Sequence, residues 1–192
     1  MLLKEYRSRF ISLGATGKIF EILDALAFSL LGVVLLFTFF FTLVRVDGGS
    51  MQTTLNDGDR LVISDFCYNP KPSDIVIISR NYDNSEIGGA DKLYDNPIVK
   101  RVIAVAGQKI DIKDGKVYID DEVLEENYIN AVTYALEFDG PKIVPEGHIF
   151  VLGDNRGNSL DSRFNSIGMV DVRYVIGKVL FRIAPFGEIR LF

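Results

Sequence analysis

Residues 109–120 read KIDIKDGKVYID. Two short stretches of alternating apolar and polar residues flank Asp114-Gly115, a pair that accepts the positive φ of a tight hairpin turn. The segment predicts two antiparallel strands with one face buried. Moving outward, RLVISDF (60–66), DIVIISR (74–80), HIFVLGD (148–154), VIGKVLFRI (175–183) and GEIRLF (187–192) are further short apolar runs bounded by turn residues. NYDNSEIGGADKLYDNP (81–97) is polar and glycine-bearing, and reads as a surface loop between strands. No helix of any length and no internal repeat is read after residue 45. Residues 46–192 are expected to form a mainly β domain, a coiled antiparallel sheet or barrel-like.

The composition bounds what such a domain does. At 192 residues, 48% hydrophobic and 24% charged, the chain is neither disordered nor a multispan membrane protein. A net charge of −5 argues against nucleic acid as a partner. The single cysteine, Cys67, excludes an internal disulfide and zinc sites that need several thiolates, and reads as a small strand residue. No cofactor or metal is expected.

Residues 25–44, ALAFSLLGVVLLFTFFFTLV, are twenty consecutive residues without a charge. As a helix they would span about 30 Å, the thickness of a bilayer core. The run is too long for a signal peptide's apolar region, and the RVDGG that follows is no cleavage site. Its all-round apolarity, with five phenylalanines, argues against a core helix. Lys4, Arg7, Arg9 and Lys18 precede it, and Arg45 and Arg60 follow. The positive-inside tendency then puts residues 1–24 in the cytoplasm, as a short basic amphipathic segment, and the β domain outside, on a single span. An extended tether from Arg45 to Ser50 reaches only about 17 Å, so Ser50 is expected to act near the outer face of the membrane.

Ser50 lies in GGSMQTTLNDGD (48–59), and a serine is a nucleophile only when a base takes its proton. In NPIVKRVIAVAG (96–107), Lys100 and Arg101 stand side by side in a run that otherwise asks for burial on both faces. Periodicity does not say which of them points outward. Arginine stays protonated in proteins and is no base. An ordinary lysine is neutral only about 0.04% of the time at pH 7, but burial can lower its pKa by up to about 3–5 units. Lys100 is therefore either a buried base or half of a surface pair on an edge strand. GDNRGNSLDSR (153–163) reads as a loop held by Asx turns, or as a support for a neutral amine through Ser159, braced by Asp161 and Arg163. It is no calcium loop, because Arg156 and Asn165 stand at ligand positions.

Taken together, these segments resemble the type I signal peptidases, membrane-bound serine proteases of the peptidase S26 type that cut signal peptides from exported proteins. GGSMQTTL resembles the nucleophile segment, with Ser50 in the serine position. DRLVISDF and PSDIVIIS resemble the strand pair that follows. IVKRVIAVAG resembles the lysine segment, with Lys100 as base, and GDNRGNSLDSR carries every residue of the family's Gly-Asp-Asn-Arg and Asn-Ser-x-Asp-Ser-Arg pattern. The resemblance covers nearly everything from the span to the C-terminus. It implies a Ser50–Lys100 dyad with an acyl-enzyme intermediate, Ser159 hydrogen-bonded to the lysine amine, and an Asp161–Arg163 pair supporting the loop. The backbone N–H of Ser50 would form part of an oxyanion hole. Gly48 stands where some members have a hydroxyl, so it could contribute only a backbone group. Met51, Leu55 and Val99 would line shallow apolar pockets for small residues at −1 and −3 of a substrate added as a strand.

Thr53 departs from the family's usual proline, and Ala104, Ala106 and Gln108 from its Gly, Pro and Asp. Lysine rather than histidine as base points to the bacterial type, in the cytoplasmic membrane, with preproteins and the lipid bilayer as partners. The single span resembles that of Gram-positive members. His148 is then a bystander. No motif surrounds Cys67 as in a sortase, and a span replaces the DNA-binding part of LexA-type Ser-Lys proteases. The alternative is a catalytically inactive, membrane-tethered β module that binds extended peptides.

Overall fold

The computed structural model describes residues 14–66, 68–79, 97–185 and 189–192. Cys67, the basic stretch before Gly14, nearly all of the 81–97 loop and the Gly187-Glu188 start of the last strand lie outside the described residues. The chain divides into two compact units, the N-terminal one ending at Phe41 and the second running from Thr42 to Phe192.

Helix α1 spans Ala15–Phe40, 26 residues, and buries none of its side chains. A soluble helix hides an apolar stripe against a core. This one is apolar all round, with a mean hydropathy of 2.3 over its most apolar window, and has the length and composition to cross a membrane. The helix stops short of the end of the apolar run at residue 44. Phe41 is already extended (φ −132°, ψ 138°), and Thr42–Arg45 form strand β1. The reason is packing: Val44 packs against a core cluster that contains Val46. The greasiness of residues 42–44 thus belongs partly to the β domain's interior.

The second unit is antiparallel β. Its strands are β2 (Arg60–Ser64), β3 (Ile75–Ile78), β4 (Ile98–Val105), β5 (Lys109–Lys113), β6 (Lys116–Ile119), β7 (Glu122–Val123), β8 (Lys142–Ile143), β9 (His148–Leu152), β10 (Val170–Asp171), β11 (Val175–Ala184) and β12 (Arg190–Leu191). The larger sheet runs β1-β2-β11-β3-β4-β9-β10, with β12 also on β11, and the smaller runs β7-β6-β5-β8. The only helical element described after β1 is a 3-10 turn at Val172–Tyr174.

Residues 109–120 form the hairpin their alternation predicts. Ile110 pairs with Ile119 and Lys113 with Lys116, while Asp114 and Gly115 take φ of 52° and 75°. Strand β3 is buried on both faces, which explains its unbroken Ile-Val-Ile-Ile. Gly177 sits in β11 where pairing passes from β3 to β2; a Cβ there would lie 2.9 Å from the Ser64 carbonyl oxygen.

The larger sheet curls. Val44 of β1 and Val99 of β4 line one groove of about 520 Å³, although three strands separate β1 from β4 in the sheet order. Beneath it lies a cluster of Val46, Met51, Leu55, Leu61, Ile63, Ile75, Ile77 and Val179. A second cluster joins β4 and β9 to the small sheet through Ile103, Phe150, Leu152, Ile110 and Val117.

Candidate active site

Strand β1 leads directly into the segment that carries Ser50. The Val46 N–H donates to the Asp59 carbonyl at 2.8 Å, and the Gly58 N–H donates to the Val46 carbonyl at 3.0 Å. The chain then reverses at Gly48, whose φ of +91° suits glycine. Met51 and Leu55 follow, 1% and 0% exposed, with the N–H groups of Thr54 and Leu55 both donating to the Met51 carbonyl. Two buried apolar side chains thus pin the loop from below. The Gln52–Thr53 peptide is cis.

Strand β4 brings the amine. It is no edge strand: Ile98–Arg101 pair with β3, and Arg101–Val105 pair with β9. Neither cation points outward; Lys100 is 3% and Arg101 8% exposed. The two diverge to opposite faces. Lys100 Nζ lies 2.9 Å from Ser50 Oγ and 2.9 Å from the Val99 carbonyl. Arg101 clamps Asp154 with two bonds, Nε–Oδ1 at 2.8 Å and Nη2–Oδ2 at 2.6 Å, and its guanidinium stacks 4.0 Å from the Tyr128 ring centre.

Burial pushes the Lys100 pKa down to about 8, and the charges of Asp161 and Asp154 hold it from falling further. At pH 7 about a tenth of the amines are then neutral, against about 0.04% for an ordinary lysine. A neutral amine 2.9 Å from a hydroxyl can accept its proton.

The 153–163 loop holds these two pieces together. The Asn155 N–H donates to the Ser50 carbonyl at 3.0 Å, and Asn155 Nδ2 donates to the Gly49 carbonyl at 3.0 Å. Thr54 Oγ1 donates to Asp154 Oδ2. Asp161 and Arg163 form a buried pair at 2.8 and 2.9 Å, and Asp161 also accepts from the Gly153 N–H. Arg156 is held by Glu126 and Thr133 and donates to the Gly153 carbonyl.

Four residues, Ser159, Gly48, Met51 and Leu55, sit differently from their sequence-based roles. Ser159 Oγ is buried but has no hydrogen-bond partner among the described residues, so the expected bond to the lysine amine is absent. The Gly48 N–H is taken by Asp57 Oδ1 at 2.9 Å and is not free to face an oxyanion. The Ser50 N–H has no such partner among the described residues. Met51 and Leu55 are core residues beneath the groove, whereas Val99 lines it with Val44, Ile77 and Pro97. His148, at the opposite end of β9 from Gly153, faces the Glu146 carbonyl.

Sequence reading passed over Gly153, Asn155, Glu126 and the Arg101–Asp154 clamp. The signal for the last was present: a buried arginine needs a carboxylate. Among the substituted positions after Lys100, Ala104 is fully buried, and Gln108 Oε1 accepts from the Val105 N–H. Among the described residues no cluster of metal-ligating side chains occurs.

The family described as signal peptidase, peptidase S26, matches residues 19–184. The chain belongs to the signal peptidase family. Signal peptidase I of Bacillus licheniformis is 35% identical over 91% of this chain and 93% of its own length. Signal peptidase I T of Bacillus subtilis (strain 168) is 34% identical over 86% of each. A crystal structure of a signal peptidase I from Enterococcus faecalis V583 aligns with 58% of this chain and 97% of its own, at 26% identity and a TM-score of 0.42. As a member of this family the protein is a serine peptidase, a hydrolase of peptide bonds.

Two outcomes follow from the site's packing. A Cβ on Gly153 would overlap the Ser159 side chain and lie 2.5 Å from the Ser50 carbonyl oxygen. Gly153→Ala is expected to lower peptidase kcat at least about a hundredfold by displacing Ser50, a shift of the kind that a 1 Å misplacement produces. Steady-state kinetics on folded variant checks it.

The second concerns stability. The Lys100 pKa is about 8 folded against 10.5 ordinarily, so below pH 8 both states are protonated and the folded state carries the full burial penalty. Between about pH 8 and 10.5 the unfolded chain holds more protons, and stability rises with pH. Lys100→Met is expected to unfold at higher urea concentration at pH 6, by about 3 kcal/mol, and to lose that rise.

Proposed function

We propose that the protein is a membrane-anchored signal peptidase in which Ser50 is the nucleophile and Lys100 its general base. The observation that carries this is the Lys100 Nζ–Ser50 Oγ distance of 2.9 Å at a buried amine. A module that only bound peptides would gain nothing from burying a lysine against a hydroxyl, a placement that costs stability. The substrates are preproteins with N-terminal signal peptides, by analogy with the relatives' names. The anchor lies within α1, with residues before it in the bacterial cytoplasm and the domain from Thr42 onward outside.

The substrate enters the groove as an extended strand. One wall is β1, paired on its other side with β2. The opposite wall is Ile98–Lys100 of β4, which pairs with β3 while β9 pairing begins only at Arg101. Both walls offer backbone groups to a third chain. Val44, Ile77 and Val99 supply apolar contacts for small residues at −1 and −3.

Ser50 Oγ attacks the carbonyl carbon of residue −1 while Lys100 takes the hydroxyl proton. The oxyanion that forms receives the Ser50 N–H, worth more there than in water once the docked peptide has displaced solvent from the groove. The tetrahedral intermediate collapses, the C–N bond breaks, and the lysine ammonium protonates the leaving amine. Water then attacks the Ser50 ester with Lys100 again as base, which frees the signal peptide's carboxylate and restores the hydroxyl.

Asp161, Arg163, Asp154 and Arg101 position these groups. In the free enzyme Ser159 leaves an unused hydroxyl beside Gly153 and the Ser50 carbonyl, a donor that can turn to the amine when a peptide excludes water.

Preprotein cleavage by the full-length chain in detergent tests this. Ser50→Ala and Lys100→Ala are each expected to lose nearly all activity, and the double variant little more, because the two act as a unit. Activity retained by Lys100→Ala would reject lysine as the base. The kcat/KM profile is expected to rise with pH and to level off above an apparent pKa near 8, since only the deprotonated amine serves. A flat profile from pH 6 to 9 would contradict the mechanism.

A further inference from the structure

The groove wall formed by β1 carries two charges that the proposed chemistry does not use. Along residues 43–47 exposure alternates strictly. Val44 is half-buried and Val46 is 2% exposed, facing the core, whereas Leu43, Arg45 and Asp47 are exposed. The backbone alternates too. Val46 bonds to Asp59 and Gly58 on the β2 side, so the peptide groups of Arg45 and Asp47 point the other way, toward the groove. Both residues line that groove with Val44, Ile77, Pro97 and Val99. Neither side chain makes an ion pair among the described residues, and Asp47 makes no hydrogen bond there.

We infer that Asp47 and Arg45 form an electrostatic filter that favours a basic residue at −2 and an acidic residue at −4 of the preprotein. The inference rests on the proposed binding of substrate as an added strand. Neighbouring strands place directly opposed side chains on the same face, with Cβ atoms about 4.5–5.5 Å apart. Residues −1 and −3 share the face of Val44 and Val46, so −2 and −4 share the face of Asp47 and Arg45. Asp47, three residues before Ser50, stands nearer the scissile bond and meets −2. Arg45, two residues farther back, has its guanidinium beside Gly58 and reaches −4 by turning its long exposed side chain. Both contacts are exposed, so the selection is graded and screened by salt.

The test uses one preprotein made with Lys, Gln or Glu at −2, cleaved by the full-length enzyme in detergent at low salt. The readout is the ratio of kcat/KM between Lys and Glu preproteins within each enzyme, which cancels any general loss of activity. Wild type is expected to favour Lys about fivefold, from opposed charge pairs on a sheet face. Asp47→Asn is expected to bring the ratio near one, and Asp47→Lys to invert it. A matched series at −4 is expected to favour Glu in wild type and to lose the preference in Arg45→Gln.

A wild-type ratio of one at −2, or a preference unchanged in Asp47→Asn, would overturn the filter. Failure of the underlying mechanism is seen separately, as Gln preprotein cleavage that survives in Ser50→Ala. If Ser50→Ala abolishes cleavage while the −2 ratio stays flat, the filter alone is wrong.

Discussion

The site depends on one amine removed from water. Lys100 sits 3% exposed on β4, beside the groove, where an ammonium is poorly solvated. Two carboxylates nearby, Asp154 and Asp161, work against this by favouring the charged form. Each is clamped by its own arginine, Arg101 and Arg163, through two charge-assisted bonds. The loop can therefore be rich in acids that tie it together without presenting their full charge to the lysine. The same pairs explain why two arginines are buried so deeply: each fork satisfies a carboxylate that organises the turn around Gly153.

Three segments far apart in sequence meet because β4 is central. Its first half, flanked by β3, carries Lys100 toward the Ser50 loop. Its second half, flanked by β9, leads by pairing to Gly153 and the loop beyond. Asn155 closes the triangle by holding the carbonyls of Gly49 and Ser50. The small sheet contributes as well, since the segment after β7 sends Glu126 to Arg156 and stacks Tyr128 on Arg101. The Ser50–Lys100 pair is thus gripped from three directions, by core packing under Met51, by the sheet, and by buried ion pairs.

Much of this was legible in the chain itself. Alternation around Asp114-Gly115 located the hairpin, and the short apolar run in DIVIISR located β3, whose burial on both faces only the structure shows. Residues 42–44 were not separable from the apolar run before them, because hydropathy does not distinguish lipid from a protein core. At Lys100 and Arg101 the period of two put the side chains on opposite faces but could not say that both faces were covered. That depends on β9 and on Asp154, some fifty residues away. Ser159 and Gly48 show the limit of motif transfer. The residues are in place, but the first has no partner among the described residues and the second has already given its amide to Asp57.

The rim of β1, which no described strand pairs, has a consequence for the state of the chain it meets. Peptide groups at such a rim are matched by a strand whose own donors and acceptors are uncommitted. A helix has already spent them internally. On the proposed reading, the residues just before the cut must be unwound before they lodge, however helical the greasy stretch upstream remains in lipid. Conformation is then sensed ahead of side-chain identity, and a compactly folded segment escapes the blade even when its sequence would fit.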